Sequence, residues 1–208
     1  MKNKFLIIIT SIATVIPIAA GMILWNRLPN DIAIHFNSDG NADNWCYKAW
    51  AVFGLPLFAL AAHLFCVFMT AHDPKGRNIG EKIYNAVIWI CPICSLTAGV
   101  IIYTHSLALP FSPFPFLQIA LGILIMIIGN YLPKCRQNYT IGIKLPWTLS
   151  DKENWNSTHR AAGRIWVVGG IIIAFNAFIN IPAVSFVVFL LMVLFPLGYS
   201  LIYHKTHN

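Results

Sequence analysis

The sequence predicts an all-α polytopic membrane protein. Six transmembrane helices are expected, with both termini in the cytoplasm and an amphipathic interfacial helix before the fifth span. Apolar residues make up 58% of the 208-residue chain and charged residues only 10%, whereas soluble domains carry about 25% charged residues. This composition excludes most soluble enzyme folds, disordered chains and small secreted domains held together by disulfides.

Six stretches of the chain reach the ~20 apolar residues that a helix needs to cross a bilayer. They are Phe5–Trp25, Trp50–Ala71, Ile83–Thr104, Phe114–Leu132, Arg164–Asn180 and Ala183–Tyr203. None has an Asp, Glu or Lys in its interior, so each helix can satisfy its own backbone groups in lipid. The prolines inside these stretches are expected to kink the helices; they are Pro17, Pro56, Pro92 and Pro196.

The distribution of basic residues predicts the orientation of the spans. Twelve of the 14 Lys and Arg residues lie at the termini and in the second and fourth loops, and only Arg27 and Lys48 lie on the other side. Both termini are therefore expected in the cytoplasm. The net charge of +7 reflects this topology, so no direct nucleic-acid partner is expected. The alternative for the first segment is a signal peptide cleaved near Ala19-Ala20-Gly21, which would leave five spans.

Two polar loops divide the chain into an N-terminal two-span unit and a four-span unit. The external loop 26–49 belongs to the first unit, residues 1–71, and the cytoplasmic loop 133–163 belongs to the second, residues 72–208. In the external loop the candidates for contact with a ligand are polar or aromatic residues that spanning does not require. They are Arg27, His35, Asp39, Asp43 and Trp45.

The sequence predicts no catalytic residues, metal site or cofactor. Cys91-Pro-Ile-Cys94 lies in an apolar span without a charge that would stabilise a thiolate, so both cysteines are expected to be small buried hydrophobes. The oxygen-rich run 37–43 does not place Gly at the sixth and Glu at the twelfth position of a calcium loop, and it is expected to be turn-rich. His63 is the one histidine within a span, and we expect it to be a neutral hydrogen-bonding group between helices.

The cytoplasmic loop carries the most specific pattern of the chain. Ser150 and Glu153 form a Ser-x-x-Glu capping box, which predicts a helix that starts at about Asp151. At helical spacing one face carries Trp155, His159, Ala162 and Trp166, and another carries Lys152, Asn156, Arg160 and Arg164. Because the second face has basic ends suited to lipid phosphates, we expect this helix to lie in the cytoplasmic interface and to continue into the fifth span.

Around this helix the chain reads N-x-x-P, then N, G-I-K-x-P-W-T-L, W and H-R-x-x-G. The positions are Asn130, Pro133, Asn138, Gly142, Lys144, Pro146, Trp147, Thr148, Trp155, His159, Arg160 and Gly163. The pattern resembles the signature of SdpI-type bacterial membrane immunity proteins, which usually have Arg at the position of Lys144. A bidentate contact there would become a point-charge contact. The external loop, through Leu28-Pro29, Ile32, Gly40 and Lys48 among others, is similar to a small domain of unknown function that often precedes the signature.

The resemblance implies a non-enzymatic protein of the bacterial plasma membrane that protects the cell from a secreted peptide toxin. For some members it also implies a transcriptional repressor held at the membrane when toxin is present, with the motif residues as the partner-binding set. The alternative is a small transporter or permease for an amphipathic peptide or lipid-like solute. The absence of charge within the spans and of inverted repeats counts against transport.

Overall fold

A computed structural model describes residues 4–37, 41–109, 112 and 114–207 of the chain. Ten helices and strands account for most of it. They are α1 (Lys4–Ile23), β1 (Asp31–Phe36), β2 (Ala42–Tyr47), α2 (Leu55–Ala71), α3 (Glu81–Ile88), α4 (Ile90–Ser106), α5 (Phe114–Tyr131), α6 (Pro146–Ser150), α7 (Lys152–Ile179) and α8 (Pro182–His207). Within the described residues six helical segments are long and apolar enough to cross a membrane. The predicted all-α class with six spans is confirmed.

Two of the four prolines interrupt the regular helix. Pro92 has no N–H for the carbonyl of Ile88, and the third span breaks beside it, at Trp89, into α3 and α4. Before Pro56 the chain forms a π-helical turn, Trp50–Gly54, which leads into α2. The other two prolines, Pro17 and Pro196, remain inside α1 and α8.

The chain divides into two compact units, and the first consists of Met1–Phe68 and Ile88–Leu117. Helices α1 and α4 are joined in it by the Tyr103 hydroxyl, which donates to the carbonyl of Pro17 at 2.8 Å. Between α1 and α2, Nε2 of the buried His63 lies 3.1 Å from the hydroxyl of Thr10. His63 is therefore a hydrogen-bonding group between helices, as expected.

Loop 26–49 contains an antiparallel hairpin that the sequence analysis did not predict. Strands β1 and β2 pair Asp31 with Tyr47 and Ile32 with Cys46. The side chain of Asn37 accepts the N–H of Asn41 at 2.9 Å. Residues 38–40 of the run that was expected to be turn-rich lie outside the described residues. Apolar residues at every second position of β1, with Ile32 fully buried, carried the signal for a half-buried strand.

The second unit consists of Met69–Val87 and Gln118–Asn208. Glycines seven residues apart on α5 and on α7 allow the two backbones to approach closely. A Cβ on Gly129 would lie 3.0 Å from the carbonyl oxygen of Gly163, and one on Gly122 would lie 2.6 Å from that of Gly170. Such small-residue contacts are typical of helix packing in membranes.

Helix α7 is a single helix of 28 residues, and its N-cap differs from the predicted one. The carboxylate of Asp151 accepts the N–H of Glu153 at 2.8 Å, whereas Ser150 donates to the carbonyl of Trp147 at 3.2 Å. Ser150 is unavailable as a cap because it is the last residue of α6, a helix that the sequence analysis did not predict and that starts at Pro146.

Candidate functional site

The motif residues of the second unit lie around α6 and the first turns of α7, and most of their side chains are turned inward. Asn138, Thr148, Trp155 and His159 are each 0% exposed. The predicted face of Trp155, His159 and Ala162 is therefore present, but it packs against protein. These side chains act by shaping the backbone around them.

Trp155 and His159 form the centre of the site. Their rings stack with centroids 4.0 Å apart, and the Trp155 indole donates to the carbonyl of Cys135 at 2.8 Å. Nε2 of His159 accepts the N–H of Ile143 at 3.0 Å, and Nδ1 lies 2.7 Å from the carbonyl of Trp155. These partners assign the proton of the neutral ring to Nδ1.

Gly142 makes room for this stack. A Cβ at this position would lie 2.5 Å from Nε2 of His159 and 2.9 Å from the ring of Trp155. Its φ of 125° also lies in a region that side-chain-bearing residues rarely adopt. The motif therefore requires glycine at this position for two independent reasons.

Asn138 folds the segment that leads into Gly142. Its side-chain oxygen accepts the N–H groups of Thr140 and Ile141 at 2.9 and 2.6 Å. Its side-chain amide donates to the carbonyls of Arg136 and Ile141 at 2.8 and 2.9 Å. A buried amide with all of these partners fixes a tight turn, because leaving any of them unpaired would be costly.

Thr148 and Trp147 hold α6 in place. The Thr148 hydroxyl accepts the N–H of Leu145 at 2.9 Å and caps the start of the helix. The Trp147 indole donates to the hydroxyl of Ser200 on α8 at 3.0 Å. Asn154 donates to the carbonyl of Ser200, also at 3.0 Å. Ser200 and Asn154, both fully buried, thus belong to the site although no motif position indicated them.

The loop before α3 also belongs to the site. The carboxylate of Asp73 accepts the Thr140 hydroxyl at 2.6 Å and the N–H groups of Tyr139 and Lys75 at 2.9 and 2.7 Å. Burial opposes ionisation of this carboxyl, but these hydrogen bonds outweigh it and lower the pKa of Asp73. Lys75 also donates to the side chain of Gln137 at 2.7 Å. A turn-forming Asp-Pro pair was the available sequence signal.

Some motif residues remain exposed at this site. They are Asn130, Pro133, Lys144, Pro146 and Arg160. Lys144 lies at the surface with its ammonium 3.1 Å from the carbonyl of Thr140. Gly163 is buried, and a Cβ there would lie 2.7 Å from the ring of Pro133. A partner that binds the motif directly must therefore contact its exposed residues and the backbone between them.

The candidates of loop 26–49 lie in the first unit. Arg27, His35, Asp43 and Trp45 are exposed, and Asp39 lies outside the described residues. Nδ1 of His35 and a carboxylate oxygen of Asp43 are 2.5 Å apart across the hairpin. Trp45 is 54% exposed, an unusual position for an indole without a partner to cover it.

Among the described residues no group of three His, Cys, Asp or Glu is placed to hold a metal ion. Within the same residues no cysteine forms a disulfide. Cys94 is exposed and Cys91 half-buried, so the expectation that both are buried was wrong for Cys94. The arrangement offers surfaces for binding, built on a rigid buried framework.

Comparison with known proteins finds a similarity for each of the two parts of the chain. Residues 134–202 match the SdpI/YfhL protein family, and residues 12–60 match a domain of unknown function, DUF1648. Over 188 residues the chain is 25% identical to Immunity protein SdpI of Bacillus subtilis (strain 168), with 90% of this chain and 88% of the relative covered. No solved structure matches the chain. The resemblance that the sequence indicated is confirmed: residues 134–202 are similar to the SdpI/YfhL family, and the segment towards the N-terminal end is similar to DUF1648.

Proposed function

We propose that the chain is an integral membrane immunity protein that gives a bacterium resistance to a secreted peptide toxin. The observation that carries this proposal is the similarity to Immunity protein SdpI across 90% of the chain. That alignment is long enough to include both the hairpin and most of the motif. A non-enzymatic role is consistent with this site, because its buried polar side chains form hydrogen bonds within the protein.

In this proposal both termini lie in the cytoplasm of a plasma-membrane protein, because the basic residues concentrate on the side of the motif. The hairpin side has only Arg27 and Lys48. Lys48 is 9% exposed, and its ammonium donates to the carbonyls of Trp25 and Leu28 at 3.2 Å each. The charge of Lys48 is thus largely buried, which increases the difference in exposed basic charge between the two sides of the membrane.

The hairpin is the region that we expect to meet the toxin. It would face the side from which a secreted peptide arrives, and its exposed Trp45 and the His35–Asp43 pair offer an aromatic and a polar contact close together. Aromatic residues of this kind are over-represented at the centres of protein interfaces. Residues 1–71 would then contact the toxin, and residues 72–208 would transmit the response to it.

The motif would be the cytoplasmic part, and a transcriptional repressor is the partner that the resemblance implies. Its buried residues fix the path of the backbone, and the exposed Tyr139, Lys144 and Pro146 would contact the partner. The ammonium of Lys75 lies 5.1 Å from the Tyr139 ring centre, which gives this surface a defined aromatic and basic patch. The 72–80 loop would therefore help to shape the binding surface.

A toxin titration tests the proposed function. A sensitive bacterium that expresses the chain is challenged with the peptide fraction of culture medium from the species that encodes it. The same strain with an empty vector is the control. We expect growth at several-fold higher peptide concentration with the chain present. Equal killing of both strains, with the chain abundant in the membrane, would contradict immunity against these peptides.

A further inference from the structure

One face of α7 points away from the rest of the described protein and is apolar over most of its length. Ile171, Phe175 and Phe178 are 41, 65 and 79% exposed, and their spacing of four and three residues places them on one side of the helix. Exposed phenylalanines in a helix of this apolar character are typical of contact with lipid chains.

Arg160 and Arg164 extend the same face towards the start of the helix. They precede Ile171 by eleven and seven residues, which is three and two helical turns, and both are exposed. The two guanidinium groups are therefore neighbours on the lipid-facing side, one turn apart. The residues immediately before them, His159 and Gly163, lie about 100° around the helix and are buried.

The distance along the helix places these arginines at the edge of the hydrocarbon layer. From Arg160 to Ile179 the helix rises about 29 Å, and from Arg164 about 22 Å. The hydrocarbon layer is ~30 Å thick. With Ile179 at one edge, Arg160 lies at the headgroups of the other edge. Arg164 lies one turn deeper, and its long side chain can extend so that the guanidinium reaches the same level.

Neither charge is neutralised within the described residues. The ion pair between His35 and Asp43 is the one that these residues form, so no carboxylate lies within 4 Å of Arg160 or Arg164. Glu153 lies on the same face but about two turns away, roughly 10 Å along the axis. An anion that compensates these two adjacent cations on the lipid-facing surface would therefore have to come from outside the chain.

We propose that Arg160 and Arg164 form a binding site for the phosphate of an anionic phospholipid headgroup. A guanidinium presents a planar fork of N–H donors that fits phosphate oxygens, and the apolar face beyond it accommodates the acyl chains of the same lipid. The site assigns Arg160 to lipid and leaves protein contact to the rest of the motif. It does not depend on toxin resistance.

Lipid selectivity of the purified full-length protein tests this site. The protein is reconstituted in phosphatidylcholine vesicles, and spin-labelled phosphatidylglycerol and phosphatidylcholine report their relative association. We expect wild type to prefer phosphatidylglycerol, and R160Q/R164Q to lose about fivefold of that preference for each arginine removed. R160K/R164K, which keeps both charges but not the forks, should retain part of it.

R77Q/R136Q is the matched control, because it removes two charges from exposed loop arginines outside α7. Its selectivity should stay within twofold of wild type. Equal losses in both double variants would overturn the proposal, because selectivity would then follow net charge. Unchanged selectivity in R160Q/R164Q would overturn it too, as would loss of wild-type selectivity on adding inorganic phosphate. Misfolding of R160Q/R164Q would also contradict it, by showing a structural role.

Discussion

The backbone N–H of Ile143 donates to Nε2 of His159 across 3.0 Å, so the motif histidine is a structural acceptor. Its neighbour in sequence, Arg160, points outward. The two residues of the His-Arg pair are adjacent in sequence but have different roles. His159 holds the loop that carries Gly142, and Arg160 is left for contact with the surroundings.

Removing the acceptor should destabilise the second unit. His159→Leu leaves the Ile143 N–H buried without a partner, which costs about 1–3 kcal/mol. His159→Gln can still offer an acceptor and should cost less. Thermal unfolding in detergent measures both. If the two variants unfold at the wild-type temperature, the Ile143–His159 contact does not contribute to stability.

Gly142→Ala should be strongly destabilising. The added Cβ would meet His159 and Trp155, and a positive φ costs a side-chain-bearing residue roughly 1–2 kcal/mol even before that clash. Gly198→Ala is the matched control, because nothing lies within 4 Å of a Cβ there and alanine favours a helix. We expect a lower unfolding temperature for Gly142→Ala alone; equal behaviour of the two variants would contradict the crowding around Gly142.

Asp73 should make stability depend on acid pH. Its pKa is lower in the folded protein than in the unfolded chain. The stabilisation from its ionised form is therefore complete above the ordinary aspartate pKa, near pH 4, and is lost as pH falls through the folded pKa. Asp73→Asn should lower the unfolding temperature at pH 6 and flatten its decline between pH 4 and 2. An unchanged slope would show that other carboxyls control acid unfolding.

Changes in the hairpin should weaken protection without lowering membrane abundance. Trp45→Ala removes an exposed ring and Asp43→Ala removes the partner of His35, and neither side chain is buried. We expect several-fold more killing at a fixed toxin dose, with Asn26→Ala, another exposed change in the same loop, as the control. Full protection by a chain scrambled between Pro29 and Lys48, at normal abundance, would exclude the hairpin from toxin contact.

The spans could be predicted from the sequence because the thickness of a bilayer imposes one length on every crossing helix. His63 could also be interpreted, since an isolated histidine in a span needs a partner on another helix. Its partner Thr10, 53 positions away, could not be named.

The inward orientation of the motif could not be predicted, because it depends on contacts between distant parts of the chain. Asp73 reaches Thr140 across 67 positions and Trp147 reaches Ser200 across 53. The helical period correctly grouped Trp155 with His159 but could not tell a face against lipid from a face against protein. In a membrane protein both faces are apolar, so the usual contrast between core and surface is missing.

In the proposed topology the hairpin lies outside the cell and the motif lies in the cytoplasm. Reporter fusions test it most directly, with alkaline phosphatase active only outside and a fluorescent protein folded only inside. We expect an outside signal for a fusion after Asn41 and an inside signal for a fusion after Lys152. An inside signal after Asn41 would exclude this topology, because the hairpin could not then meet a toxin that arrives from outside.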